Sequence, residues 1–169
     1  MKKIQTHVKY ALITGIVLIV LNLVWYITGL TFTSWGGYIL LIPYLIGVIL
    51  NANAYSKANN ADITFGQAFG SCFKASLIIS VMAAVWTAIF IILFPEFIDK
   101  MLTMTSDRMA QKGMDEDQID QGIAMTKKFM NMPWMATMAF IWDLFIGVIF
   151  SLIASGVAKK NPQPQHIQQ

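Results

Sequence analysis

The sequence predicts an all-α fold: an integral membrane bundle of four transmembrane helices, with an extracytoplasmic amphipathic helical hairpin between helices three and four. Three observations predict it. The chain has 169 residues, 56% hydrophobic and 12% charged, about half the charge fraction of a soluble domain. Its apolar residues gather into four long runs at 10–30, 36–54, 75–94 and 135–157, in which Asp143 is the one charged residue. At about 1.5 Å rise per residue, each run crosses a hydrocarbon core of roughly 30 Å. Between the third and fourth runs lies a polar segment, 95–133, holding seven acids and five bases. The whole chain, 1–169, is expected to form one membrane domain.

The first run, YALITGIVLIVLNLVWYITGL, follows Lys2, Lys3 and Lys9. Its apolar part exceeds the 7–15 residues typical of a cleaved leader, and no small-x-small cleavage pattern follows promptly. It reads as an uncleaved signal anchor. The first connection, around Thr31–Trp35, is uncharged; the second carries Lys57 and Lys74, and the C-terminal tail carries Lys159 and Lys160. Lysine and arginine accumulate on the cytoplasmic side. Four spans therefore place both tails, 1–9 and 158–169, in the cytoplasm and segment 95–133 outside. Trp25, Tyr26, Trp35, Tyr38 and Trp134 cluster near the outer boundary as an aromatic belt.

In the second connection, ADITFGQAFGSCFKAS, Phe65, Phe69 and Phe73 recur every four residues. That spacing puts three rings on one helical face, and Lys74 can snorkel to the headgroups. The segment reads as an interfacial lead-in helix for the third span. The sharper reading is a cytoplasmic gate or lipid-binding site.

The fourth run, WMATMAFIWDLFIGVIFSLIASG, contains Asp143. It sits roughly 12 Å below the outer end of the span, where a carboxylate costs several kcal/mol unless it faces the bundle, finds partners or takes up a proton. Gly147, Ser151 and Ser155 follow at steps of four and form a small-residue face suited to close packing. Asp143 is therefore expected to face other helices. Equal depths suggest its partners: Asn22 on the first span, Tyr44 beside Pro43 on the second and Thr87 on the third. These four are expected to form one intramembrane polar layer, to which Pro43 adds a freed backbone carbonyl. Further packing faces are Ala11, Gly15 and Asn22; Tyr44, Gly47 and Asn51; and Ser76, Ser80, Ala84 and Ala88. Lys74 lies near the inner face, well over a helical turn from Asp143 in depth. The layer is either polar glue, with Asp143 protonated and hydrogen-bonded, or a proton- or cation-responsive site of a small transporter or channel.

The outer segment starts at Pro95, which suits a first helical position. Gly113 is expected to stop a first helix. Asp115 and Gln118 have capping-box spacing for a second, with Glu116 and Asp117 at its positive end and Lys127 and Lys128 in its last turn. Pro133 is expected to end it. The hairpin should lie on the membrane surface or cap the bundle, and is the expected docking surface for a protein partner. Its methionines invite a copper reading, because thioethers suit Cu(I). Met101 and Met104 form one Met-x-x-Met pair, with Met130 and Met132 further along. No histidine or cysteine accompanies them, and methionine also fills apolar gaps; packing is the simpler account. The acids lack calcium-loop spacing.

The remaining signals exclude more than they suggest. The single Cys72 forbids an internal disulfide. His7 and His166 lie in the tails, which argues against a haem held between helices. The net charge of +3 comes from lysines at helix ends and is not a nucleic-acid signal. No nucleophile, base pair or metal set appears, so no enzyme and no cofactor is expected. The expected role is structural or partner-binding, with the lipid bilayer as solvent and small-residue faces that allow a homo-oligomer.

Three stretches, KGMDEDQIDQGIAMTKKFMNMP, FGQAFGSCFKAS and GVIFSLIASGVAKK, resemble in order and spacing a bacterial family of four-helix membrane proteins, the domain of unknown function four-one-nine-nine. The resemblance covers nearly the whole chain. It implies a multi-pass protein of the bacterial inner membrane, and it supplies no activity, ligand or catalytic residue.

Overall fold

A computed structural model describes residues 5–33 and 35–160. Lys2, Lys3 and His166, with the ends of both predicted tails, lie outside the described residues. Every regular element among the described residues is helical. The helices are α1 (Thr6–Ile27), α2 (Gly36–Ile39), α3 (Leu41–Ala58), α4 (Phe65–Leu93), α5 (Glu96–Gln111), α6 (Glu116–Phe129) and α7 (Met132–Val157). Four stretches are long and apolar enough to cross a membrane: Thr6–Ile27, Gly36–Ala58, Phe65–Leu93 and Met132–Val157.

Their bounds depart from the predicted spans for local reasons. α1 begins a turn earlier than expected and stops at Ile27, because Gly29 turns left-handed at φ +76°, a conformation glycine adopts without steric cost. The second stretch is interrupted at Leu40. Pro43 cannot donate to the carbonyl four residues back, and its ring clashes there. The helix restarts instead and runs on to Ala58, so Lys57 lies on α3 and not in a connection. α4 begins at Phe65, which makes the phenylalanine segment its first turns. Phe65, Phe69 and Phe73 stack there with centroids 6.5 and 6.0 Å apart. Thr64 and Gln67 form a capping box at its start, each backbone N–H donating to the other's side chain at 2.9 and 3.3 Å. Pro133 does not end α6; it lies in the first turn of α7, where a missing N–H leaves no bond unmade.

The chain divides into two compact units. One comprises the residues up to Val81 with those from Trp142 onward; the other is Met82–Ile141. α4 and α7 contribute to both.

In the first unit, most buried positions are small or hydroxylated, with Val48, Asn51, Ile63 and Ile79 as larger exceptions. Thr14 and Gly15 of α1 face α3, where a Cβ on Gly47 would overlap the Thr14 side chain. On α4, Ala68, Cys72, Ser76 and Ser80 are all 0% exposed, four residues at consecutive steps of four along one face. On α7, Gly147, Ser151, Ala154 and Ser155 are buried. Many of the large apolar side chains point the other way: Ile16 is 57% exposed, Val20 54% and Phe145 59%. Tyr26, expected in an aromatic belt, is instead buried against Phe32, while Trp35 and Tyr38 are exposed. The end of α7 is tied down by Ser56, which donates to the Lys159 carbonyl, and by Lys160, whose ammonium caps the Ser155 and Ala158 carbonyls.

In the second unit, α5 and α6 pack on each other and neither has a buried residue. Their caps carry the local order. Gly113, at φ +77°, donates to Ala110, and Met114 donates to Met109, the paired bonds of a Schellman ending. Asp115 and Gln118 form the reciprocal capping box that their spacing suggested. Lys127 and Lys128 occupy the last turn of α6. Met109 lies over Gly122, where an added Cβ would come within 2.8 Å of its Cε. Phe90 holds the end of α4 to α5 through rings at 5.0 Å (Phe94) and 5.3 Å (Phe97).

Candidate functional site

α3, α4 and α7 meet in the first unit around Gly147. Tyr44, 2% exposed, stands on α3 one turn past the break at Leu40. Its hydroxyl donates to the backbone carbonyl of Asp143 at 3.1 Å. Its ring meets Phe150 edge-on at 5.3 Å. From α4, Ser76 donates to the Gly147 carbonyl at 3.3 Å and lies 3.3 Å from the Ser151 hydroxyl. Ser151 and Ser155 donate back along α7 to the Gly147 and Ser151 carbonyls at 2.6 and 2.7 Å. Gly147 makes this approach possible: a Cβ there would lie 2.5 Å from the Tyr44 hydroxyl and 2.6 Å from Ser76 Cβ. Hydroxyls and bare backbone thus fill the space that large side chains fill in a soluble core.

The expected layer differs in its chemistry. Tyr44 and Asp143 are adjacent, but Tyr44 engages the main chain of Asp143. The half-buried Asp143 carboxylate has no hydrogen-bond or ion-pair partner among the described residues. Asn22 is half-buried on α1, and Thr87 is half-buried in the second unit. A height along each helix fixes which residues share a level, not which way each side chain points.

A second polar cluster was missed as a cluster. Asn51, 0% exposed on α3, donates through Nδ2 to Ser71 Oγ at 3.3 Å and to Cys72 Sγ at 3.7 Å. Cys72 in turn points at the Val48 carbonyl at 3.8 Å. Asn51 Oδ1 is buried without a hydrogen-bond partner among the described residues. Sequence spacing marked Asn51 as part of a packing face. Its pairing with a residue twenty positions away on another helix leaves no local signal.

Of the methionines considered for copper, Met101 and Met104 are half-buried on α5, Met130 is half-buried at the C-cap of α6, and Met132 is exposed at the start of α7. Among the described residues, no three His, Cys, Asp or Glu side chains gather as metal ligands.

Small-residue faces joined by hydroxyl bonds, on helices with apolar exteriors, define the class: a protein helical throughout its described residues, with four helices long and apolar enough to cross a membrane. Within that class the chain can be placed further. Residues 9–160 match the family described as Protein of unknown function (DUF4199), and the chain belongs to that family. No curated protein and no solved structure matches it.

Proposed function

We propose that the chain is a non-enzymatic multi-pass protein of the bacterial inner membrane, structural or partner-binding in role. All four long helices span the bilayer, both termini are cytoplasmic, and α5 and α6 form a hairpin on the outer surface. The observation that carries this reading is the inversion of polarity in the first unit. Ser76, Ser80, Ser151, Ser155 and Asn51 are fully buried, while many large aliphatic side chains, such as Ile16, Val20 and Ile46, are exposed. In water that arrangement exposes far more apolar surface than a soluble monomer tolerates; in lipid it is the expected one. The lysine distribution supports the orientation. The faces of α5 and α6, with Met125 66% and Phe129 49% exposed, supply apolar area for the interface or for a docked protein.

The test combines alkaline extraction with thiol labelling. Cys72→Ser removes the native thiol, and single cysteines replace Lys57 and Lys127. Expected are retention in the pellet, labelling of the cysteine at 127 in intact spheroplasts, and labelling of that at 57 only after lysis. Release by carbonate, or labelling of both in intact cells, overturns the topology.

A second reading, a proton- or cation-linked transporter or channel, draws on one observation: the Asp143 carboxylate lies within a span without a partner among the described residues. Intramembrane ionisable residues mark ion pathways. Proteoliposomes loaded with a pH dye separate the two. A proton leak abolished by Asp143→Asn favours transport; a leak equal to that of empty liposomes sinks it.

A further inference from the structure

Where α1 begins and α3 ends, the first unit holds a cleft of about 490 Å³, within the roughly 300–1,000 Å³ range of small-molecule sites. His7 enters from α1, Tyr55 and Asn59 from the end of α3, and Gly70, Ser71 and Lys74 from α4. No carboxylate lines it among the described residues. Lys74 is close enough to His7 for its charge to act on the imidazole, and neither base has an acidic partner among the described residues. A lysine ammonium at a cavity with no acid among its described lining residues leaves a positive field that an anion would neutralise, and the imidazole beside it offers an N–H.

Ser71 adds a hydrogen-bond donor. It is 5% exposed, and its oxygen accepts from Asn51. The hydroxyl proton is left without an acceptor among the described residues. A buried donor without an acceptor is costly, and an oxyanion in the cleft would supply one. Beside it, a Cβ on Gly70 would meet nothing within 4 Å, so the wall is bare backbone with open space before it. One helical position over, Phe65, Phe69 and Phe73 run along α4 as a stacked apolar ladder, where acyl chains would lie.

We propose that this cleft binds a phosphate group, that of an anionic phospholipid headgroup, with Lys74 supplying charge and the His7 and Ser71 side chains hydrogen bonds. Lysine serves phosphate as a point charge. Only the lipid source rests on the membrane reading; a free phosphate ion presents the same chemistry to the same residues.

The test uses the full chain in nanodiscs of phosphatidylcholine with or without phosphatidylglycerol, transferred to detergent, with retained lipid counted by native mass spectrometry. Expected is one phosphatidylglycerol retained over phosphatidylcholine. Retention should fall about fivefold in Lys74→Gln, from the usual worth of one interfacial charge, and vanish in Gly70→Leu, whose side chain fills the cleft. Lys57→Gln, outside this cleft, should retain lipid as wild type does. In a second arm, inorganic phosphate is added to the chain in detergent and the His7 imidazole nitrogens are followed by NMR. A saturable shift without phosphatidylglycerol retention supports the phosphate site and assigns it to a free anion. Neither retention nor shift overturns the proposal, as does retention that survives Gly70→Leu. Failure to enter nanodiscs overturns the membrane reading alone, because the detergent arm still reads the cleft.

Discussion

Gly147→Ala should destabilise the protein by about 2 kcal/mol, although glycine-to-alanine normally favours a helix. The added Cβ would sit 2.5 Å from the Tyr44 hydroxyl and 2.6 Å from Ser76 Cβ. The first contact is with the tip of a rigid ring and the second with an atom bonded directly to the α4 backbone, so neither can swing aside cheaply. Overpacking of this kind costs about 1–3 kcal/mol. Displacing Tyr44 also weakens its bond to the Asp143 carbonyl, worth about 1 kcal/mol. Against these stands a helix-propensity gain of about 1 kcal/mol. The assay is reversible unfolding of detergent-solubilised protein in sodium dodecyl sulfate, followed by tryptophan fluorescence. Gly156→Ala is the internal control: its Cβ would meet nothing within 4 Å, so it should equal or exceed wild type. Tyr44→Phe in the Gly147→Ala background removes one of the two clashing atoms and should recover part of the loss. A Gly147→Ala variant as stable as Gly156→Ala would refute the close three-helix approach.

Four further outcomes follow from other parts of the structure. Gly113→Ala, at φ +77°, and Asp115→Ala, which removes a capping box, should each cost about 1 kcal/mol, seen as faster amide exchange across α6 with α1 unchanged. Ala61→Gly should stabilise by about 1 kcal/mol, because Ala61 holds a left-handed φ of +59°; a lower unfolding midpoint would mean that the alanine methyl packs. Asp143→Asn should fold and unfold at or above the wild-type midpoint, since the carboxylate has no partner among the described residues; a loss beyond about 2 kcal/mol would expose a partner. Copper(I) titration should show no saturable site that Met101→Leu with Met104→Leu abolishes, because the pair is read as packing.

Much of this architecture was legible because some signals are local. Span length is read from one uninterrupted window of the chain, and the Asp115–Gln118 box and the Gly113 stop each depend on residues about one turn apart. Thr64 and Gln67 carry the same signature at the start of α4 and were readable by the same rule. Pro43 was readable too: its effect is to break the helix at Leu40, not merely to free a carbonyl inside it. The polar sites were less legible. Rise per residue placed Tyr44 and Asp143 at one level, yet the bond forms to a backbone carbonyl. Azimuth decides that, and in an apolar helix hydrophobic periodicity does not report azimuth. The Asn51–Ser71 pair needed two helices brought into register, which no window of the sequence contains.

The two units therefore obey different rules of substitution. In the first, the helices are apolar almost all round, and no hydrophobic force favours one face inward once lipid is the solvent. What selects a face is how closely backbones can approach, and Gly47, Gly147, Ser76 and Ser151 set that distance. Changing their volume should matter, whereas exchanging one exposed aliphatic for another, as at Ile16 or Val20, should not. In the second unit, α5 and α6 bury no residue completely, so side-chain volume has little to act on. Their order rests on caps, turns and the Phe90 rings, each contributing about 1 kcal/mol. A scan of substitutions across the chain should separate these regimes: volume-sensitive on the inward faces of the first unit, cap-sensitive in the second. A cap-sensitive first unit would show that its helices form before, and independently of, their packing.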